Sequence, residues 1–120
     1  MVIEIDFNSN EAYYMQIRNQ VIRQIAYGGL EPGEGLPSVR QLAERVGINM
    51  HTVNKAYALL RDEGYLRIDR RRGAVVDVAF REGDDMDEIS DDIKMAVAKA
   101  RCKGVDRELL HRLIDEDFDS

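Results

Sequence analysis

The sequence has no tryptophan, one cysteine, two prolines and two histidines among its 120 residues. With Cys102 alone, neither an internal disulfide nor a cysteine-based zinc site can form, and a partly buried thiol is expected. His111 has no second His or Cys near it in sequence, so it reads as a surface histidine and not as a metal ligand. No apolar run is long enough to cross a bilayer, and the start Met1-Val2-Ile3-Glu4-Ile5-Asp6 lacks the basic and apolar regions of a signal peptide. A cytoplasmic protein without membrane contact is expected. Also missing are a Gly-rich phosphate loop, a nucleophile triad and a metal constellation, so neither enzymatic activity nor a cofactor is expected. The acidic cluster Asp84, Asp85, Asp87, Glu88, Asp91 and Asp92 lacks the glycine and terminal glutamate of a calcium loop. Carboxylates there suit the positive end of a helix dipole, and no metal is expected.

What is present is unevenly distributed. The net charge is −6, yet residues 1–80 hold ten Lys or Arg against ten Asp or Glu, whereas residues 81–120 hold seven against thirteen. Within residues 38–72 the balance is eight basic to four acidic. Screening confines each charge to about 10 Å, so this local excess governs contact with a polyanion more than the overall sign does. The acidic tail is expected to face away from such a partner.

The pattern between Gly35 and Val76 reads as two short helices joined by a tight turn and followed by a hairpin. Ser38 and Gln41 form a capping box at the first helix, and Gly47 stops it. Asn49 can cap a second helix whose Val53, Ala56, Tyr57 and Leu60 share one side, while Met50, His51, Asn54 and Arg61 lie on the other. Gly64 ends it. Tyr65-Leu66-Arg67-Ile68 begins an alternating run that returns as Ala74 to Val78 after the basic tip Asp69-Arg70-Arg71-Arg72-Gly73. Upstream, Ile3, Ile5 and Phe7 suggest a short extended arm, and Tyr14, Ile17, Val21, Ile22 and Ile25 form the stripe of a scaffold helix ending at Gly28-Gly29. The fold class expected is mainly α with a small β-hairpin: a winged helix-turn-helix domain over residues 1–80, then a two-helix tail over residues 81–120.

In the tail, Met86, Ile89, Ile93, Val97 and Ala100 line one face of a fourth helix; Leu109, Leu110, Leu113, Ile114 and Phe118 line a fifth, after Gly104. A helical hairpin of about 40 residues buries too little surface to stand alone. A second copy is the natural partner, giving a homodimer about a two-fold axis in which Met86, Ile89, Ile93, Val97, Leu109, Leu110, Leu113 and Ile114 form the dimerisation face.

From Tyr14 to Val76 the chain resembles the winged-helix domain of GntR-type bacterial transcription regulators. The matching words are Tyr14-Met15-Gln16-Ile17, the run from Gly29 to Ala43, Thr52-Val53, Ala56-Tyr57 and Glu63-Gly64-Tyr65-Leu66. The short tail is similar to that of the YtrA-type subfamily, whose members carry two dimerisation helices in place of a large effector-binding domain. The resemblance implies a sequence-specific regulator, most simply a repressor, that binds a palindromic double-stranded DNA operator as a homodimer. It places Arg40 against the DNA backbone. The start of the second helix, Asn49, Met50, His51, Thr52, Asn54 and Lys55, enters the major groove, because the apolar face is held in the core. Asn54 suits an adenine edge and Asn49 or Thr52 a phosphate, with Lys55 a backbone contact; His51 is left open between a polar reader and a surface residue. Arg70, Arg71, Arg72 and Gly73 form the wing tip, suited to phosphates and a narrow minor groove.

Three positions depart from the family pattern. Asn49-Met50 stands where many relatives have Ser-Arg or Thr-Arg, Ala12 where they tend to have Pro, and Arg71-Arg72-Gly73 where they have Gly-x-Gly. The guanine-clamping arginine is therefore absent, and no sequence preference can be carried over. The tail is too small to enclose a roomy pocket in one subunit; a small-molecule effector has room only in a cleft at a dimer interface.

Overall fold

The computed structural model describes all residues, 1–120. Its elements in chain order are α1 (Tyr13–Ala26), α2 (Val39–Val46), α3 (Met50–Asp62), β1 (Leu66–Asp69), β2 (Gly73–Val76), α4 (Glu82–Lys103) and α5 (Arg107–Phe118). Contacts divide the chain into two compact units, Met1–Ala79 and Phe80–Ser120.

The first unit is a three-helix core with a wing. Ile17 and Val21 of α1, Leu42 of α2, and Val53, Ala56, Tyr57 and Leu60 of α3 are buried together, and each set recurs at the three- and four-residue spacing that puts side chains on one helix face. At α2 the Ser38 hydroxyl accepts from the Gln41 amide at 3.1 Å, and the Gln41 side chain accepts from the Ser38 amide at 3.0 Å. Gly47 closes the helix at φ +76°, a left-handed conformation that a side chain resists, and so fixes the sharp turn into α3. Arg18 of α1 grips Glu63, just past α3, with two N–H···O bonds of 2.8 and 2.9 Å. This forked pair ties the scaffold helix to the end of α3.

Two features of this unit differ from the sequence expectation. β1 and β2 pair antiparallel from Leu66 opposite Val76 to Asp69 opposite Gly73, but Ala74, Val75 and Val76 are all buried, without alternation. The reason is a third extended segment. Gly33 donates to Val76, Val76 donates to Glu34, and Leu36 donates to Ala74, so Gly33–Leu36 flanks the other edge of β2. A strand flanked on both edges has neighbouring side chains beside it on either face, which leaves little of it open to water.

The N-terminal arm is extended as expected but forms no ladder with another strand. Three glutamines of α1 hold it instead. Gln16 and Gln20 each accept from and donate to the backbone of one arm residue, Asp6 and Glu4 respectively, at 2.7–3.0 Å. Gln24 donates to the Val2 carbonyl at 2.6 Å. The four-residue helical spacing of these side chains matches the two-residue spacing of the arm because four helix residues rise about 6 Å and two extended residues about 6.6 Å. Ile3 is thereby pressed into the core.

In the second unit the Arg81 guanidinium and backbone amide both donate to Asp85, which anchors the start of α4. Those bonds, the backbone amide first, hold the Asp85 carboxyl below its ordinary pKa. Gly104, at φ +74°, ends α4, and the Asp106 side chain caps α5 by accepting from the Leu109 amide at 2.9 Å. Cys102 is exposed, not partly buried. It lies on the face of α4 opposite Ala100, which faces α5 and is the one buried hydrophobic residue of this unit.

Candidate nucleic-acid interface

Three pieces of the first unit converge on one groove of about 650 Å³. The N-terminus of α2 contributes Pro37, Ser38 and Gln41; α3 contributes Asn54, Ala58 and Arg61; the wing contributes Ile68 and Arg72. What holds them in register is Tyr57. Its ring is buried in the core, and its hydroxyl donates to the Pro37 carbonyl at 2.8 Å, one residue before the Ser38 cap. Burial pushes this phenol well above its ordinary pKa, an effect larger than the opposing pull of Arg45, so it stays a hydrogen-bond donor.

The side chains on the outer surface of α3 have different freedoms. Met50, His51 and Asn54 are exposed and Thr52 is half-buried. The Asn49 side-chain oxygen is occupied, since it accepts from the His51 amide at 2.7 Å and caps the helix. Its amide nitrogen is left as a donor for another partner. The Lys55 ammonium lies 4.0 Å from the centre of the Tyr14 ring, a cation–π contact that draws it toward α1 and away from Asn54. Arg40 is exposed in the first turn of α2.

The wing tip is built on Asp69. Its carboxylate accepts from the Arg71 and Arg72 amides at 2.8 and 3.1 Å, and these two bonds, ahead of the Arg67 side chain, hold its pKa below the ordinary value. Gly73, at φ +74°, completes the turn. The three tip arginines are not equivalent. Arg72 donates to the Gly33 carbonyl at 2.6 Å and braces the wing against the Gly33–Leu36 segment, while the guanidinium groups of Arg70 and Arg71 extend into solvent without an acceptor.

Sequence reasoning left Arg61 and Ile68 out of the site. Arg61 follows Asn54 by seven residues and Ala58 by three, so helical spacing alone puts all three on one stripe, and that signal was available. Ile68 is 54% exposed beside a basic turn. Leu66, on the same face of the strand, is buried, while Ile68 runs past the end of the core into the groove.

The family described as bacterial regulatory proteins, gntR family, matches residues 13–76. The chain is 36% identical to the HTH-type transcriptional repressor YtrA of Bacillus subtilis, over 96% of this chain and 91% of that protein. A GntR-family transcription factor, YtrA from Sulfolobus acidocaldarius, superposes with a TM-score of 0.68 at 41% identity, covering 82% of this chain and 99% of the other. A protein from Listeria monocytogenes EGD-e described as a transcriptional antiterminator superposes with a TM-score of 0.84 at 27% identity, over 97% and 89% of the two chains. No helix is long and apolar enough to cross a membrane. The matched residues contain the helix-turn-helix, the wing and the groove between them, and on that footing the chain belongs to the GntR family and is a DNA-binding transcription regulator, not an enzyme.

Proposed function

We propose that this regulator acts as a cytoplasmic homodimer that occupies a palindromic operator and represses transcription. The observation that carries the DNA half of this reading is the groove itself: the free face of α3, the capped start of α2 and an arginine-tipped wing open on one side of the unit. The first turns of α3 then lie in the major groove, with Asn54 at a base edge and Met50 and His51 beside it. Arg40, the Asn49 amide nitrogen, Thr52 and Arg61 take phosphates on either side. Arg70 and Arg71 reach the next minor groove, where a narrow groove concentrates negative potential, while Arg72 and Gly73 shape the tip that carries them.

The assembly half rests on the tail. Ile89, Ile93 and Val97 of α4 and Leu113 and Ile114 of α5 remain 40–52% exposed in a single chain, which a helical unit of this size does not sustain in water. Pairing two tails would cover them and join two reading units for one two-fold operator. The YtrA relative is called a repressor, and that is the support for repression. The cleft of about 720 Å³ between α4 and α5 is lined by Ile93, Val97 and Ile114 of that same face, so in this reading an effector binds only where the two tails leave part of it uncovered. Selection of bound sequences from random DNA tests the reading: it predicts an inverted repeat with two equal half-sites, and recovery of a single asymmetric site, or of no enriched sequence, contradicts it.

A further inference from the structure

The charges of the tail are sorted by position. From Glu82 to Asp92 there are seven carboxylates and no Lys or Arg; from Lys94 to Arg112 six Lys or Arg stand against two carboxylates; from Asp115 to Asp119 there are four more carboxylates. α5 folds back along α4 after the turn at Gly104, so Ile114 faces the same cleft as Ile93. The acidic end of α5 therefore lies on the side of the acidic half of α4, and the turn end carries the cations. Asp85 is already paired with Arg81, which leaves the imbalance intact. Each tail is an apolar face with a negative end and a positive end.

We infer that two tails pair antiparallel, the acidic end of each on the basic end of the other; this rests on the homodimer reading and adds its orientation. In a two-fold interface every contact between residues i and j recurs as j with i, so a parallel pairing would set carboxylate on carboxylate at one end and cation on cation at the other. The antiparallel pairing replaces both repulsions with attractions while covering the same side chains. At cellular salt the interaction range is about 8 Å, close to the separation of packed helices, so the matched ends interact and distant ones do not. Centring the acidic run of α4 on the basic residues Lys99, Arg101 and Lys103 of its partner puts the two-fold axis near Lys94.

The only cysteine, exposed on α4, reports the orientation without any substitution. Cys102 is eight residues from the axis and points away from the paired stripe, so at a rise of about 1.5 Å per residue and a helix separation of about 10 Å the two sulfurs are roughly 30 Å apart in the antiparallel dimer and about 18 Å apart in the parallel one. Spin labels on Cys102 of the full chain, which extend outward from the sulfurs, are expected to give a distance well beyond about 30 Å, with a dimer mass by sedimentation. A dimer with labels closer than about 28 Å overturns the orientation but leaves the homodimer standing; a monomer at micromolar concentration overturns both. Charge reversal provides a second arm. Lys99, Lys103, Glu88 and Asp92 share one flank of the apolar stripe of α4 by helical spacing. Lys99→Glu with Lys103→Glu is expected to weaken self-association at least tenfold at low salt, and mixing with a chain carrying Glu88→Lys and Asp92→Lys is expected to restore it. Recovery in the mixture excludes misfolding as the cause. Undiminished self-association of the first variant, or no recovery in the mixture, contradicts the charge match.

Discussion

The Tyr57 hydroxyl donates a 2.8 Å hydrogen bond to the Pro37 carbonyl, and through it the core side of α3 sets where α2 begins. Tyr57→Phe keeps the buried ring and leaves that carbonyl without its donor. The expected loss is about 1–2 kcal/mol of stability, from the bond and the unsatisfied acceptor. Because α2 and α3 would be less firmly related, operator affinity is expected to fall while the preferred sequence stays the same. Chemical denaturation and binding to the selected operator check both parts, and a variant as stable and as tight as the parent refutes the link.

Asn54 and Lys55 are neighbours in sequence to which the proposed reading gives different tasks. Asn54→Ala is expected to cost about 1–3 kcal/mol per half-site on the best operator and to relax preference at one base pair. Lys55→Ala, which removes the contact with Tyr14, is expected to reduce stability by about 0.5–1 kcal/mol and to weaken all sequences alike. Competition binding over a panel of single-base operator variants separates the two outcomes.

The wing arginines divide in the same way. Removing Arg70 and Arg71 together takes away two free cations per subunit, and if all four in a dimer meet phosphates the slope of log affinity against log salt becomes shallower by about 3.6. Arg72→Ala is expected to change the slope less, since that guanidinium is engaged with Gly33, and to loosen the wing instead. Salt titrations of correctly folded protein distinguish the pair from the single variant.

Asp69 makes the wing sensitive to acid. Its folded pKa lies below the ordinary 3.8, so the stabilisation from its bonds to the Arg71 and Arg72 amides is present above that value and is lost as pH falls through the folded pKa. Amide exchange at Arg71 and Arg72 is therefore expected to accelerate only below about pH 4, with Asp69→Ala showing the fast rate at neutral pH. Equal exchange in the two proteins at pH 7 rules out the cap.

Much of this architecture is local chemistry and was legible in the chain. Ser38, Gln41, Gly47 and Asn49 announce helix ends because capping depends on residues within three positions of each other. The stripe of Val53, Ala56, Tyr57 and Leu60 identifies the buried side of α3 for the same reason. What escaped depends on partners distant in sequence. The strand-like segment Gly33–Leu36 is defined only by its bonds to β2, and the arm is fixed by glutamines ten to twenty-two residues away. Likewise, nothing in Asp69-Arg70-Arg71-Arg72-Gly73 distinguishes the arginine that bonds Gly33 from the two that do not.

The most direct test of the account is to end the chain at Phe80. The first unit contains its own core, from Ile3 to Val76, and is expected to remain folded. Without the tail it is expected to be monomeric and to bind the operator more weakly by two or more orders of magnitude, because two linked half-sites raise the effective concentration of the second contact. Mass in solution and operator affinity, measured on the shortened and full chains together, decide the matter. A folded shortened chain that is still a dimer, or that binds the operator as tightly as the full chain, contradicts the assignment of the tail to dimerisation.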